Sequence, residues 1–200
     1  MASFKARIFG AFLRVTRTVS KNFQGGPAML KIIEGSRQLP IPTPTEKQRA
    51  RIEVREESFS GRAVWQLSPK GGAAPKEHLL YWHGGGYVFT ISPFHWNMLV
   101  NLVDKHGIAV TVPLYPLAPE AGVLDTTGFA LDFYRHYCDQ VPGPFVMGGD
   151  SAGGGLTAAT VMAAREAGLR LPSGLMLICP WLNAEGNDPS QIAIEKRDCI

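Results

Sequence analysis

The sequence predicts an α/β protein: a mostly parallel sheet with helices on both faces. Three observations predict it. Short apolar runs at residues 78–82, 108–114, 145–147 and 175–179 read as buried strands. Residues 95–106, 126–138 and 152–167 alternate with them and place apolar side chains at helical spacing. Glycine-rich turns follow Trp82 and Met147, at the strand ends where such sheets bind ligands.

The elements follow in order. Residues 1–23 carry Lys5, Arg7, Arg14, Arg17 and Lys21 and no acid. Phe4, Ile8, Phe12, Val15 and Val19 share one helical face, which predicts an amphipathic helix. Most of the bases lie on the opposite face, and Arg7 and Arg14 interrupt any continuous apolar run, which argues against a secretory signal. Such a helix either packs on the rest of the protein or makes weak contact with a membrane surface, and a transit-like segment has the same character. Gln24-Gly25-Gly26-Pro27 ends it, and residues 28–35 predict a short second helix. Pro40, Pro42 and Pro44 make residues 39–44 an extended linker. Residues 1–48 therefore read as helices plus linker, and residues 49–200 as the core domain.

In the core, Ile52 and Val54 alternate with polar residues, Ser60-Gly61 turns, and residues 63–67 return as a second strand. Residues 68–76 are a Gly/Pro/Ala loop. Met98, Leu99, Leu102 and Val103 give the 95–106 helix its apolar side, and Gly107 stops it. Phe129, Ala130, Phe133, Tyr134 and Tyr137 do the same for residues 126–138. Gly168 ends the alanine-rich helix over 152–167.

Composition narrows the function. Of 200 residues 45% are hydrophobic and 18% charged, which suits a packed globule rather than a disordered chain. A net charge of +3 is too small to predict nucleic-acid binding. No apolar run approaches the roughly 20 residues of a membrane span. Cys138, Cys179 and Cys199 form no CxxC pair, so neither a disulfide scaffold nor a structural zinc site is expected. A reducing compartment, the cytoplasm, is the expected location.

Gly149-Asp150-Ser151-Ala152-Gly153 fits G-x-S-x-G between a strand and a helix, the context that motif requires. A tight strand-to-helix turn strains the serine backbone and presents its Oγ outward. The Ala152 amide falls in the first helical turn, has no intrahelical acceptor, and is free to donate to an oxyanion. His83-Gly84-Gly85-Gly86 supplies the complement, because consecutive glycines let backbone N–H groups point into a cleft. Gly84, Gly85 and Ala152 are thus the expected oxyanion donors, each contributing about 2.7–4 kcal/mol to a transition state. This is acyl-transfer chemistry by a nucleophilic serine.

Taken in order, four segments resemble one family. They are His83-Gly84-Gly85-Gly86-Tyr87, Tyr115-Pro116-Leu117-Ala118-Pro119-Glu120, Gly149-Asp150-Ser151-Ala152-Gly153-Gly154 and Cys179-Pro180-Trp181-Leu182. The chain resembles the hormone-sensitive-lipase-like serine esterases of the α/β-hydrolase fold. The resemblance implies a carboxylic-ester hydrolase with Ser151 as nucleophile and Gly84, Gly85 and Ala152 as the oxyanion hole. It further implies that Tyr87 lines the acyl pocket and that the N-terminal helices form a cap. The partner would be a small-molecule acyl ester, with no metal and no cofactor. The chain departs from the family pattern at Pro116, where arginine is usual, and at Ala121-Gly122, which replace a common His-Pro pair.

The triad order of this fold places acid and histidine after the serine. No histidine follows His136, and Glu185, Asp188, Glu195 and Asp198 have no downstream histidine to pair with. The expectation is that the acid and histidine lie beyond residue 200. The sheet would then lack its C-terminal strands, leaving residues 175–179 as an unprotected apolar edge. The alternative reading is a catalytically inactive hydrolase or binding remnant.

Other residues receive plainer expectations. His83 holds its glycine turn, and Asp150 makes a structural hydrogen bond, since adjacent side chains at a tight turn diverge. His95 sits at a helix end, with a base role as the alternative. His78, His106 and His136 are surface or helix-end residues. Cys179 is a buried inert thiol, Trp82 and Trp181 belong to the core, and Glu120 anchors a loop. Gly153-Gly154-Gly155-Leu156-Thr157-Ala158 matches a dinucleotide fingerprint only formally, because residues 148–152 separate it from the strand. No lysine follows these glycines, so a P-loop is excluded.

Overall fold

A computed structural model describes residues 26–72, 74–75, 77–141, 143–183, 185, 188 and 189. The helix expected over residues 1–23, and Glu195, Asp198 and Cys199, lie outside them. The chain divides into two compact units: one holds Met1–Pro40 and Asn183–Ile200, the other Ile41–Leu182. In the first, helix α1 (Gly26–Arg37) is longer than the expected 28–35, and Ser36 Oγ donates to the Ile33 carbonyl at 2.6 Å near its end.

Residues 41–48, read as linker, are bonded into the second unit. Trp96 Nε1 donates to the Pro42 carbonyl at 2.7 Å, and Gln48 Nε2 to Asn97 Oδ1 at 2.7 Å. A one-turn helix, α2 (Glu46–Arg49), was not expected there. Its signal is a capping box: Gln48 N donates to Thr45 Oγ1, and Thr45 N donates back to Gln48 Oε1.

Among the described residues six strands form one sheet. Strands β1 (Ile52–Phe59) and β2 (Arg62–Pro69) make the expected antiparallel hairpin, and β2 runs antiparallel to β4 (Ala109–Pro113). Strands β3 (His78–Trp82), β4, β5 (Val146–Asp150) and β6 (Gly174–Ile178) are parallel. The order is β1-β2-β4-β3-β5-β6. Helix α3 (Pro93–His106) joins β3 to β4, α4 (Val123–Gln140) joins β4 to β5, and α5 (Ala152–Glu166) joins β5 to β6. The chain leaves β3 towards β4 and returns to its other side at β5. The carboxyl ends of β3 and β5 therefore flank the topological switch point, where ligands bind in such sheets.

The period of two along β3 explains the two-sided core. Leu79 and Tyr81 face one cluster with Trp65, Trp96, Leu99, Val103 and Val112. Leu80 and Trp82 face the other with Tyr115, Phe133, Tyr137, Met147 and Leu156. Ser92 and Pro93 open α3, and Gly107 (φ 69°) closes it in the left-handed conformation. No described helix is long and apolar enough to cross a membrane.

Candidate active site

Strand β5 ends at Asp150 and α5 begins at Ala152, so Ser151 alone makes the turn. Its φ of 48° and ψ of −119° lie where a side chain is strained, at a cost of about 1–3 kcal/mol. Three backbone bonds hold it there. Ser151 N donates to the Ile178 carbonyl at 2.9 Å, and Trp181 N and Gly155 N donate to the Ser151 carbonyl at 2.8 and 3.1 Å. Missing side chains make the turn possible. A Cβ on Gly149 would stand 2.5 Å from the Trp82 carbonyl oxygen, and one on Gly153 2.6 Å from that of His83. Ser151 Oγ hydrogen-bonds to no described residue. The Ala152 amide is the first of α5 and has no acceptor within the helix.

The loop after β3 faces this turn. Gly84 N donates to Asp150 Oδ1 at 2.8 Å. That corrects the expectation that Gly84 serves as an oxyanion donor, because its proton is already held by a carboxylate. Gly85 (φ 131°) and Gly86 (φ 62°) take conformations open to glycine, and their amides donate to no described residue. Phe89 N and Val88 N donate to the Gly85 carbonyl at 2.8 and 3.1 Å, which folds the loop back. Sequence spacing cannot rank three consecutive glycines, so it singles out Gly84 and Gly85 and not Gly86, whose amide is also open here.

Asp150 is the hub of the site. Its carboxylate also accepts from Tyr81 Oη at 2.6 Å and from His95 Nε2 at 3.1 Å to each oxygen. Burial alone would raise its pKa. Hydrogen bonds from His95, Tyr81 and the Gly84 amide outweigh burial and hold it at about 2. Burial together with the adjacent Asp150 pushes the Tyr81 hydroxyl far above its ordinary range. The expected structural hydrogen bond of Asp150 is therefore three bonds from three elements.

None of the chain's five histidines bonds to Ser151. His83 is fully buried, lies 4.4 Å from the Tyr115 ring in a stack, and has Nδ1 2.8 Å from the Gly84 carbonyl. Burial lowers its pKa to about 4, so it is neutral near pH 7. His95 is committed to Asp150 and to Ser92. It sits in the first turn of α3, at a helix end as expected, and half-buried in that network.

Tyr87 (φ 61°) lies beside the α5 start. Its hydroxyl stands 2.9 Å from where a Cβ on Gly155 would be, and its ring is 6.0 Å from that of Trp181. Two expectations fail here. Trp181 is 41% exposed rather than core, and Cys179 is exposed rather than buried. Both follow β6 at the end of the sheet, where no described helix covers them. Cys179 also has a φ of 44°. Among the described residues no group of three or more His, Cys, Asp or Glu is placed to hold a metal.

A strained serine between strand and helix, at the switch point of a doubly covered parallel sheet, defines an α/β hydrolase. Residues 79–199 match the model of the alpha/beta hydrolase fold family. The chain belongs to that family, on its hormone-sensitive-lipase-like side. It is 33% identical over 124 residues to an acetyl-hydrolase of Streptomyces hygroscopicus, covering 61% of this chain and 42% of that protein. It is 32% identical over 136 residues to hormone-sensitive lipase of Mus musculus, covering 64% of this chain and 18% of the lipase. In structure it resembles a hormone-sensitive lipase from a metagenome library, with a TM-score of 0.75 and 24% identity, over 97% of this chain and 63% of the other. The match thus spans half or less of the length of these curated relatives.

Proposed function

We propose that the protein is a serine carboxylic-ester hydrolase acting on small or medium acyl esters. The observation that carries this reading is Ser151. Its strained backbone, the free Ala152 amide beside it and the free amides of Gly85 and Gly86 opposite it suit one chemistry. Ser151 Oγ attacks the ester carbonyl while its proton passes to a general base. The resulting oxyanion accepts from Gly85, Gly86 and Ala152. The tetrahedral intermediate collapses, and the alkoxide leaves with the proton from the base. Water then attacks the acyl-enzyme by the same route and frees the acid. Tyr87 and Trp181 wall the acyl side in this reading.

The base is none of His78, His83, His95, His106 or His136. The reading places the triad acid and histidine in length that the relatives have and these 200 residues do not span. The free Cys138 and Cys179 suit a reducing compartment, and the reading puts the protein in the cytoplasm. The membrane contact considered for residues 1–23 is tested by sedimentation with anionic vesicles, with and without that segment.

One observation favours a second reading: Ser151 has no histidine bonded to it. An inactive, ligand-binding hydrolase would look the same. A fluorophosphonate probe separates the two. The esterase reading expects covalent labelling of the protein from its source cell, lost in Ser151→Ala, together with hydrolysis of p-nitrophenyl acetate. Absence of both labelling and turnover gives the second reading.

A further inference from the structure

Asp150 precedes the candidate nucleophile, and its carboxylate points to the other wall of the site. It receives Gly84 N–H from the glycine loop, Tyr81 O–H from β3 and the His95 imidazole from α3. His95 is itself fixed at the opposite nitrogen. Ser92 N donates to His95 Nδ1 at 2.9 Å, and Ser92 Oγ lies 2.7 Å from the same atom. A backbone N–H can only donate, so Nδ1 is an acceptor and the ring proton sits on Nε2. That proton is the one aimed at Asp150. The chain of bonds is therefore directional: Ser92 N–H to His95, His95 N–H to Asp150, Gly84 N–H to Asp150.

We propose that His95 is a positioning residue, which sets the Gly85–Gly86 amides against Ser151 by holding the Asp150 carboxylate on Gly84. The inference rests on the esterase reading of Ser151 and concerns how its oxyanion hole is held. Geometry favours the role over a plain helix cap. Capping α3 requires only that His95 Nδ1 accept from Ser92. It does not require the far nitrogen to reach across to the residue before Ser151. The carboxylate has two oxygens, and Gly84, Tyr81 and His95 all reach Oδ1, with His95 shared between both. Without His95, Tyr81 and Gly84 still hold one oxygen, and the carboxylate is free to turn about that point. His83 Nδ1, 2.8 Å from the Gly84 carbonyl, fixes the loop from its buried side, and the Asp150 carboxylate lies where a Cβ on Gly84 would be and fixes it from the other. Small displacements matter because oxyanion donors act over hydrogen-bond distances, and misplacement by about 1 Å costs about 100-fold in rate.

Two measurements on the intact protein test this. The first needs no turnover: amide hydrogen exchange at Gly84, Gly85 and Gly86, read by NMR. His95→Ala is expected to lose protection at Gly84 and to shift the Gly85 and Gly86 resonances, with the rest of the sheet unchanged. His95→Gln, which keeps a donor for Asp150, is expected to restore much of both. The second is kinetic: kcat on p-nitrophenyl acetate falls about 10- to 100-fold in His95→Ala with KM within about 2-fold. A trifluoromethyl ketone, which mimics the oxyanion, loses affinity by a similar factor. Unchanged Gly84–Gly86 resonances and exchange in His95→Ala would overturn the proposal. So would a loss of kcat with the ketone affinity intact. A wild-type protein without turnover or labelling fails the esterase reading instead, and the exchange comparison still decides the positioning role.

Discussion

His83 and Asp150, on either side of Gly84, give the fold a pH dependence in two steps. Burial lowers His83 to about 4, whereas the unfolded imidazole titrates near 6.5. The unfolded chain binds more protons between these values, so stability falls as pH drops from 6.5 to about 4. Asp150, raised by burial but held down by His95, Tyr81 and Gly84, titrates at about 2 against an ordinary 3.8. Its contribution is present above 3.8 and lost as pH falls towards 2. Urea midpoints against pH are expected to show both steps. His83→Gln removes the upper one and Asp150→Asn the lower. A wild-type profile flat between 6.5 and 4 would show that His83 is not held neutral. Gly153 offers a test of opposite intuition. Alanine is the better helix former by about 1 kcal/mol, yet its Cβ would strike the carbonyls of Trp82 and His83. Gly153→Ala is expected to destabilise by about 1–3 kcal/mol. A rise in the urea midpoint would mean that the turn is looser than described.

Among the elements, α4 depends on a clamp from outside itself. Its last carbonyls have no intrahelical donor. The Arg170 guanidinium donates to the Cys138 carbonyl at 3.0 Å, to Gly143 at 2.5 Å and to Val141, and stacks 5.0 Å over the Phe145 ring. Tyr134 Oη returns a bond to the Arg170 carbonyl at 2.6 Å. Arg170 is exposed on the surface, so the expected cost of Arg170→Ala is about 1–2 kcal/mol by chemical unfolding. Arg170→Lys recovers part of it, because lysine lacks the fork. Such long-range bonds were illegible in the sequence, unlike the elements they join. Leu79, Leu80, Tyr81 and Trp82 announce a strand buried on both faces, and Gly107 announces a helix end, because period and punctuation are local. The three bonds to Asp150 come from residues 55 to 69 positions away, which no spacing reveals. Ser151 was legible because the glycines that permit its turn, Gly149 and Gly153, are its neighbours in sequence, even though Ile178 and Trp181 also hold it. That Gly84 is bonded to Asp150 while Gly85 and Gly86 stay open was not legible, because that bond joins residues 66 positions apart.

At the scale of the whole sheet, the two outer strands contrast. Strand β1 exposes Glu53, Arg55, Glu56 and Glu57, charges that discourage pairing with another sheet. Strand β6, Gly-Leu-Met-Leu-Ile, carries no charge and is outermost among the described strands. Leu175, Leu177 and Ile178 are 47, 37 and 38% exposed. An uncharged apolar strand with free backbone groups on one side is a template for a further strand. The 200-residue chain is therefore expected to self-associate with rising concentration, and through β6 rather than β1. Leu175→Lys places a charge on the most exposed apolar position of that edge and is expected to shift sedimentation towards monomer. Glu56→Lys, on the opposite edge, keeps a charge where one already stands and is expected to leave association unchanged. Equal association of both variants and the parent would remove β6 as the route. Association relieved by Glu56→Lys alone would move it to β1, against the charge pattern. Since β6 also holds Ser151 through the Ile178 carbonyl, whatever covers this edge also steadies the turn that carries the candidate nucleophile. Ser151 labelling in the monomeric Leu175→Lys protein, compared with the parent, then reads how far the two are coupled.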